Sequence, residues 1–140
     1  MSNVSVPVRQ TDPYRQPHMS LQLTTSGAVA VVKVTGEVDA DNAHLIPELV
    51  DCLPAHQLQR LVLDLVEVTF ICAAGAHALV RVRETVTVAA GQLIVRDPSP
   101  VVLTVLAGCR VIQAFQIHRT QTRRPAVPAL TPPGRSAAQR

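Results

Sequence analysis

The eight residues Phe-Ile-Cys-Ala-Ala-Gly-Ala-His at 70–77 hold two side chains suited to chemistry, Cys72 and His77. An apolar run precedes them and a helical pattern follows. Cys72 therefore falls at a predicted helix N-terminus, where the helix dipole and unpaired N–H groups favour a thiolate. A thiol nucleophile would use His77 as its base, but nucleophile, base and orienting group act as a unit. No orienting Asp or Asn recurs nearby, and Asp64 lies earlier in the strand. No catalytic residue is assigned, and the chain is not expected to be an enzyme. His77 reads as a solvated or interface histidine. Redox control through a Cys72 disulfide with Cys109 or Cys52 stays open beside the plainer reading of three buried structural thiols, because sequence gives no Cα separation.

The three cysteines are widely spaced with no C-x-x-C pair, which argues against a zinc site and against a secreted disulfide framework. Gly-rich phosphate loops are absent, so no cofactor is expected. One Tyr, two Phe and no Trp leave little with which to stack on bases. Residues 19–118 carry six basic and nine acidic residues, a net −3, so the basic excess lies in the flanking segments. There it is thinly spread through proline-rich sequence, and no specific nucleic-acid partner is indicated. No run reaches the roughly 18–20 apolar residues of a spanning helix, and the opening M-S-N-V-S-V-P-V-R lacks the apolar core of a signal peptide. The expected location is cytoplasmic.

Positioning the 70–77 junction requires a sheet and its helices. Residues 1–18 and 119–140 lack periodicity and are proline-rich, and read as disordered tails around one domain at 19–118. Residues 21–26 and 28–35 are two β-rich runs joined at Ser26-Gly27. Asp39, Asp41 and Asn42 are cap types before a helix with Leu45, Leu49, Cys52 and Leu53 on one face. Pro47 predicts a late start or a kink. Arg60–Leu65 is a strand expected to be covered on both sides. The stretch from Gly75 to Gly91 fits both a helix and an alternating strand; its length, too great for a typical strand of about 5–6 residues, predicts a helix. Gln92–Arg96 is a strand, Ser99-Pro100 an N-cap and first helical residue, Gly108 a helix stop, and Phe115–His118 a last strand. The fold class is α/β, a mixed sheet of four to five strands with helices packed on it, in the order β-β-α-β-α-β-α-β.

With that order, V-V-K-V-T-G-E-V-D, R-L-V-L-D-L-V-E-V-T-F-I and G-Q-L-I-V-R-D-P-S-P-V-V together resemble the STAS domain of bacterial anti-sigma factor antagonists over about residues 21–118. The resemblance implies partner switching: the unphosphorylated domain binds an anti-sigma factor with a kinase-type fold, and phosphorylation of a serine in an Asp-Ser-Ser-Gly turn cancels binding. A phosphate adds roughly −1.5 to −2 charges to the contact surface, which opposes docking. Matched onto this chain, the family aspartate falls on Cys72, the phosphorylated serine on Ala73, the next hydroxyl residue on Ala74, the glycine on Gly75 and the usual leucine on Ala76. Neither hydroxyl position can accept phosphate.

By the same resemblance, Asp39, Cys72, Ala73, Ala74, Gly75, Ala76 and His77 form the partner-binding set, with Asp39 also a candidate helix cap. The expectation is a noncatalytic antagonist whose binding is constitutive. The alternative is an accessory or scaffold subunit of a lipid-transport ATPase or a stress-sensing complex. A homodimer stays open.

Overall fold

Two periodicities build this domain, a β alternation that makes one continuous sheet and a 3.6-residue stripe that covers one side of it. A computed structural model describes residues 18–120 in full and residues 2–7 by backbone. The elements are β1 (Ser2–Pro7), β2 (Met19–Ser26), β3 (Val29–Val38), α1 (Leu45–Asp51), β4 (Arg60–Ile71), α2 (Ala73–Val88), β5 (Gln92–Arg96), α3 (Pro100–Gly108) and β6 (Gln116–His118). Short 3-10 turns at Ala55–Leu58 and Ile112–Ala114 lead into β4 and β6.

The six strands lie in the order β1-β2-β3-β4-β5-β6, antiparallel from β1 to β3 and parallel from β3 to β6. The five strands expected between residues 19 and 118 are β2 to β6, in the expected order with the expected helices. β1 corrects the reading of residues 1–18 as a disordered tail over Ser2–Pro7: Val4 and Val6 alternate there, and Pro7 falls at the end of an edge strand, where a missing N–H is tolerated. Residues 1 and 8–17 of that segment, and residues 121–140 of the other proposed tail, lie outside the described residues.

Each parallel step moves to the next strand in one direction, so right-handed crossovers put α1, α2 and α3 on the same face. Burial follows that geometry. Met19, Leu21 and Leu23 of β2, Ala30, Val32 and Val34 of β3, Leu61, Leu63 and Leu65 of β4, and Leu93 and Val95 of β5 point into the core beneath the helices. From above, Ile46 and Val50 of α1, Leu79, Val82 and Val86 of α2, and Val102 and Leu106 of α3 fill it. Of the helical stripe Leu79, Val82, Val86 and Ala89, the first three are buried and Ala89 is half-buried, whereas Val88, which belongs to the competing alternation of Val80, Val82, Val86 and Val88, is 88% exposed.

β4 is not covered by helices on both sides. Val62 and Ile94, paired across β4 and β5, are buried but stand apart from the core cluster. They lie on the helix-free face beside two cross-strand polar contacts, Arg96 Nη2 to Asp64 Oδ2 at 3.0 Å and Gln92 Nε2 to Gln116 Oε1 at 3.1 Å. Long polar side chains are able to shield such a short apolar row.

Local details explain the element ends. α1 begins at Leu45, which makes Pro47 its third residue, where a missing N–H breaks no intrahelical bond. Ser99 occupies the N-cap position of α3, but its hydroxyl donates to the Val68 carbonyl at 2.7 Å instead of capping the helix. The left-handed residue after α3 is Arg110 (φ 62), not Gly108. After β5, Asp97 sits at φ 49 and accepts from the Thr120 N–H at 2.6 Å and from the Thr120 hydroxyl. Those donors hold the Asp97 carboxyl below the usual carboxylate range.

β4 outlasts its neighbour. β5 pairs with it only through Asp64, whereas β3 follows it to Ile71 with two register shifts. The ends of β3 and β4 therefore project together, and the turns that leave them form the candidate site.

Candidate functional site

The first wall of the site is the turn after β3. The Asp39 N–H donates to Asn42 Oδ1 at 2.9 Å, while Asp39 Oδ1 accepts from the N–H groups of Asp41 (2.9 Å) and Asn42 (3.0 Å). This reciprocal pairing has the form of a capping box with Asn in place of Glu or Gln. Asn42 is buried, and its Nδ2 donates back to the Glu37 carbonyl at 3.0 Å. Asp39 thus caps the turn over residues 40–44, one step earlier than the helix expected from sequence; the residue before α1 is His44, with no side-chain cap. His18 Nδ1 lies 3.7 Å from Asp39 Oδ2 and 3.9 Å from Glu37 Oε1, which places an imidazole beside both carboxylates.

The second wall is the start of α2. Cys72 is its N-cap in extended backbone (φ −102, ψ −179), and no side chain caps the helix. The Cys72 N–H donates to the Val38 carbonyl at 3.1 Å, so the two turns are joined by backbone. Gly75 is required by packing, not by backbone conformation. A Cβ there would lie 2.5 Å from Ile71 Cγ1 and 2.9 Å from Val38 Cγ1, so glycine lets α2 settle onto the ends of β3 and β4.

Across the predicted set, Ala73 and His77 are exposed, Asp39, Cys72 and Ala74 are half-buried, and Gly75 and Ala76 are buried. The last two face the core and shape the surface from beneath without offering contact area. Ala74 and His77 share a shallow trough with Ala78 and Arg81 of α2 and with Ala40, Ala43 and His44 of the opposite turn. Sequence reading missed this second group, although Ala74/Ala78 and His77/Arg81 repeat at the four-residue spacing that puts side chains on one helix face.

The three thiols are free. Cys52 and Cys109 follow the last residues of α1 and α3, whereas Cys72 precedes α2, at the end of the sheet where α1 and α3 begin. Helices of seven and nine residues span about 10 and 14 Å, beyond the roughly 4.4–6.8 Å that a disulfide needs between Cα atoms. In this structure Cys72 is paired with neither thiol. The buried-thiol reading is corrected, since Cys52 is exposed and the others are partly so.

Cysteine is a poor N-cap, because its sulfur accepts hydrogen bonds weakly. Cys72→Asp should raise the unfolding free energy by about 0.5–2 kcal/mol in urea titrations, through side-chain capping and charge at the positive end of α2. Unchanged or lower stability would show that the thiol makes a packing contribution that outweighs the missing cap.

Among the described residues no helix is long and apolar enough to cross a membrane.

The family model of the STAS domain matches residues 20–122. Among solved structures, an anti-sigma factor antagonist from Mycobacterium paratuberculosis superposes with a TM-score of 0.61 at 22% identity, over 74% of this chain and 87% of that one. SpoIIAA in its unphosphorylated form gives 0.59 at 16% identity, over 71% and 87%. The Bacillus cell fate determinant SpoIIAA in its phosphorylated form gives 0.57 at 16% identity, over 71% and 90%. At these identities the structures share the fold. No curated protein matches the chain significantly.

Proposed function

This chain belongs to the STAS domain family, and from that premise we propose that it is a noncatalytic anti-sigma factor antagonist. It binds a kinase-fold anti-sigma factor through the surface formed by Asp39, Cys72, Ala73, Ala74 and His77, and so frees a sigma factor. One observation carries the reading: the exposed first residue of α2, at the joined ends of β3 and β4, is Ala73. That is where the family resemblance puts the regulatory serine. The solved SpoIIAA structures in unphosphorylated and phosphorylated forms, which share this fold, support such a role for the fold.

An alanine at this place accepts no phosphoryl group, and neither does Ala74. Binding is accordingly constitutive, limited by the amounts of the partners and not by covalent change at this turn. Gly75 and Ala76 set the seating of α2, and the Asp39–Asn42 capping box fixes the opposite turn.

The test is a displacement assay. Full-length chain is added to preformed complexes of purified sigma factor with each kinase-fold anti-sigma factor from the same genome. Release of sigma factor is the expected result, and failure to release it from any of them refutes the proposal.

A further inference from the structure

The trough between the 39–44 turn and α2 differs from the rest of the docking surface in its chemistry. Buried Ala43 and Ala78 with half-buried Ala74 give it a floor with no side chain beyond Cβ, exposed Ala40 lies at its rim, and its other side chains are His44, His77 and Arg81, with no carboxylate lining it. His44 Nε2 lies 3.9 Å from Glu48 Oε2 on the next turn of its own segment. Among the described residues no side-chain hydrogen bond or ion pair involves Arg81 or His77, and both are exposed on α2. A short apolar floor beside an uncommitted guanidinium is complementary to an aliphatic side chain followed closely by a carboxylate. Arg suits that role because its planar fork donates two parallel hydrogen bonds to a carboxylate and its stem packs on apolar surface.

From this geometry we infer that the partner seats an apolar side chain in the alanine trough and places an Asp or Glu on Arg81, so that Arg81 selects for an acidic partner segment. The inference rests on the docking surface proposed above and adds the chemistry of the partner. Arg81 then contributes both to steering the encounter and to holding the complex. Arg83, two positions on and exposed on a different side of α2, contributes to neither.

The test compares full-length wild type with Arg81→Glu, Arg81→Lys, Arg83→Glu, Ala74→Leu and Ala73→Asp, by affinity for each purified kinase-fold anti-sigma factor from the same genome. Arg81→Glu should weaken binding on the order of tenfold or more and Ala74→Leu should weaken it by blocking the trough, while Arg83→Glu stays close to wild type. Arg81→Lys should recover part of the loss, since it restores charge but not the fork. Thermal melts near the wild-type value for the position-81 and position-83 variants separate lost contact from lost fold. Wild-type affinity in Arg81→Glu, or equal losses in Arg81→Glu and Arg83→Glu, overturns the inference. If Arg81→Glu binds normally while Ala73→Asp does not, the docking surface stands and only the trough chemistry falls. If both bind normally, or if wild type binds none of the anti-sigma factors, the docking surface falls with it.

Discussion

Ala73→Asp should weaken the proposed antagonist activity while leaving the fold intact, with affinity for the anti-sigma factor reduced on the order of tenfold to a hundredfold. Two opposite effects of the same charge make this result specific. Ala73 is the first residue of α2 and exposed, and α2 has no acidic residue in its first turn. A carboxylate there faces the positive end of the helix and adds about 0.3–1 kcal/mol to folding stability. In the proposed complex the same carboxylate is a charge to be desolvated on the docking surface. Lost binding together with an unchanged or raised melting temperature is the signature of a docking position. Isothermal titration and a thermal melt on one sample read both. Retained affinity would move the interface away from this turn.

Gly36→Ala should cause the largest loss of stability of any single methyl addition at a described glycine that bears on the site. Gly36 has φ +99, where an L side chain is strained by roughly 1–2 kcal/mol. A Cβ would also lie 2.1 Å from the His18 carbonyl oxygen and 3.2 Å from its carbon, backbone atoms with no rotamer to relieve the clash. Relief must come from separating β2 and β3 at the Met19–Gly36 pair, which breaks the 2.7 Å bond from the Glu37 N–H to that carbonyl. Strain, clash and a lost hydrogen bond together cost about 3 kcal/mol or more, a fall in melting temperature of roughly 10–20 °C for a domain of this size. Gly27→Ala is the control. Its φ is +60, but nothing lies within 4 Å of the added methyl, so it should cost only about 1 kcal/mol. Equal effects at the two glycines would show that backbone conformation alone, and not the close approach of His18, sets the requirement at Gly36. Because Asp39 lies three residues on, Gly36→Ala should also weaken partner binding.

Much of this architecture is legible in the chain. The alternation of Leu21 with Leu23 and of Leu61, Leu63 and Leu65 marks strands whose apolar faces are the observed core. Length decides the Gly75–Gly91 ambiguity correctly, because only a helix both returns the chain for a parallel strand and buries Leu79, Val82 and Val86 together. What is not legible depends on tertiary partners. Ser99 reads as a cap, yet its hydroxyl serves Val68, thirty-one residues earlier. Asp39 reads as a cap of α1, yet its capping partner is Asn42 in the preceding turn. The length of β4 escapes notice because exposed Glu67 falls at the next inward position after Leu61, Leu63 and Leu65, where the register against β3 shifts.

The site divides in the same way. Placing Cys72 at the head of α2 needs only the apolar run before it and the periodicity after it. That Gly75 and Ala76 turn inward follows from the helix phase, which requires the packing of α2 on Ile71 and Val38. The trough is built from residues 40–44 and 74–81, segments separated by some thirty positions, and only the parallel pairing of β3 with β4 brings them together.

The proposed antagonist binds its anti-sigma factor without a phosphorylation switch. This is tested by the affinity of full-length chain for any kinase-fold anti-sigma factor that the displacement assay identifies, before and after prolonged incubation with ATP and magnesium, with intact-mass analysis of the chain. One affinity in both conditions and no phosphorylated species are the expected result. A phosphoryl group on the chain, accompanied by loss of binding, would contradict it.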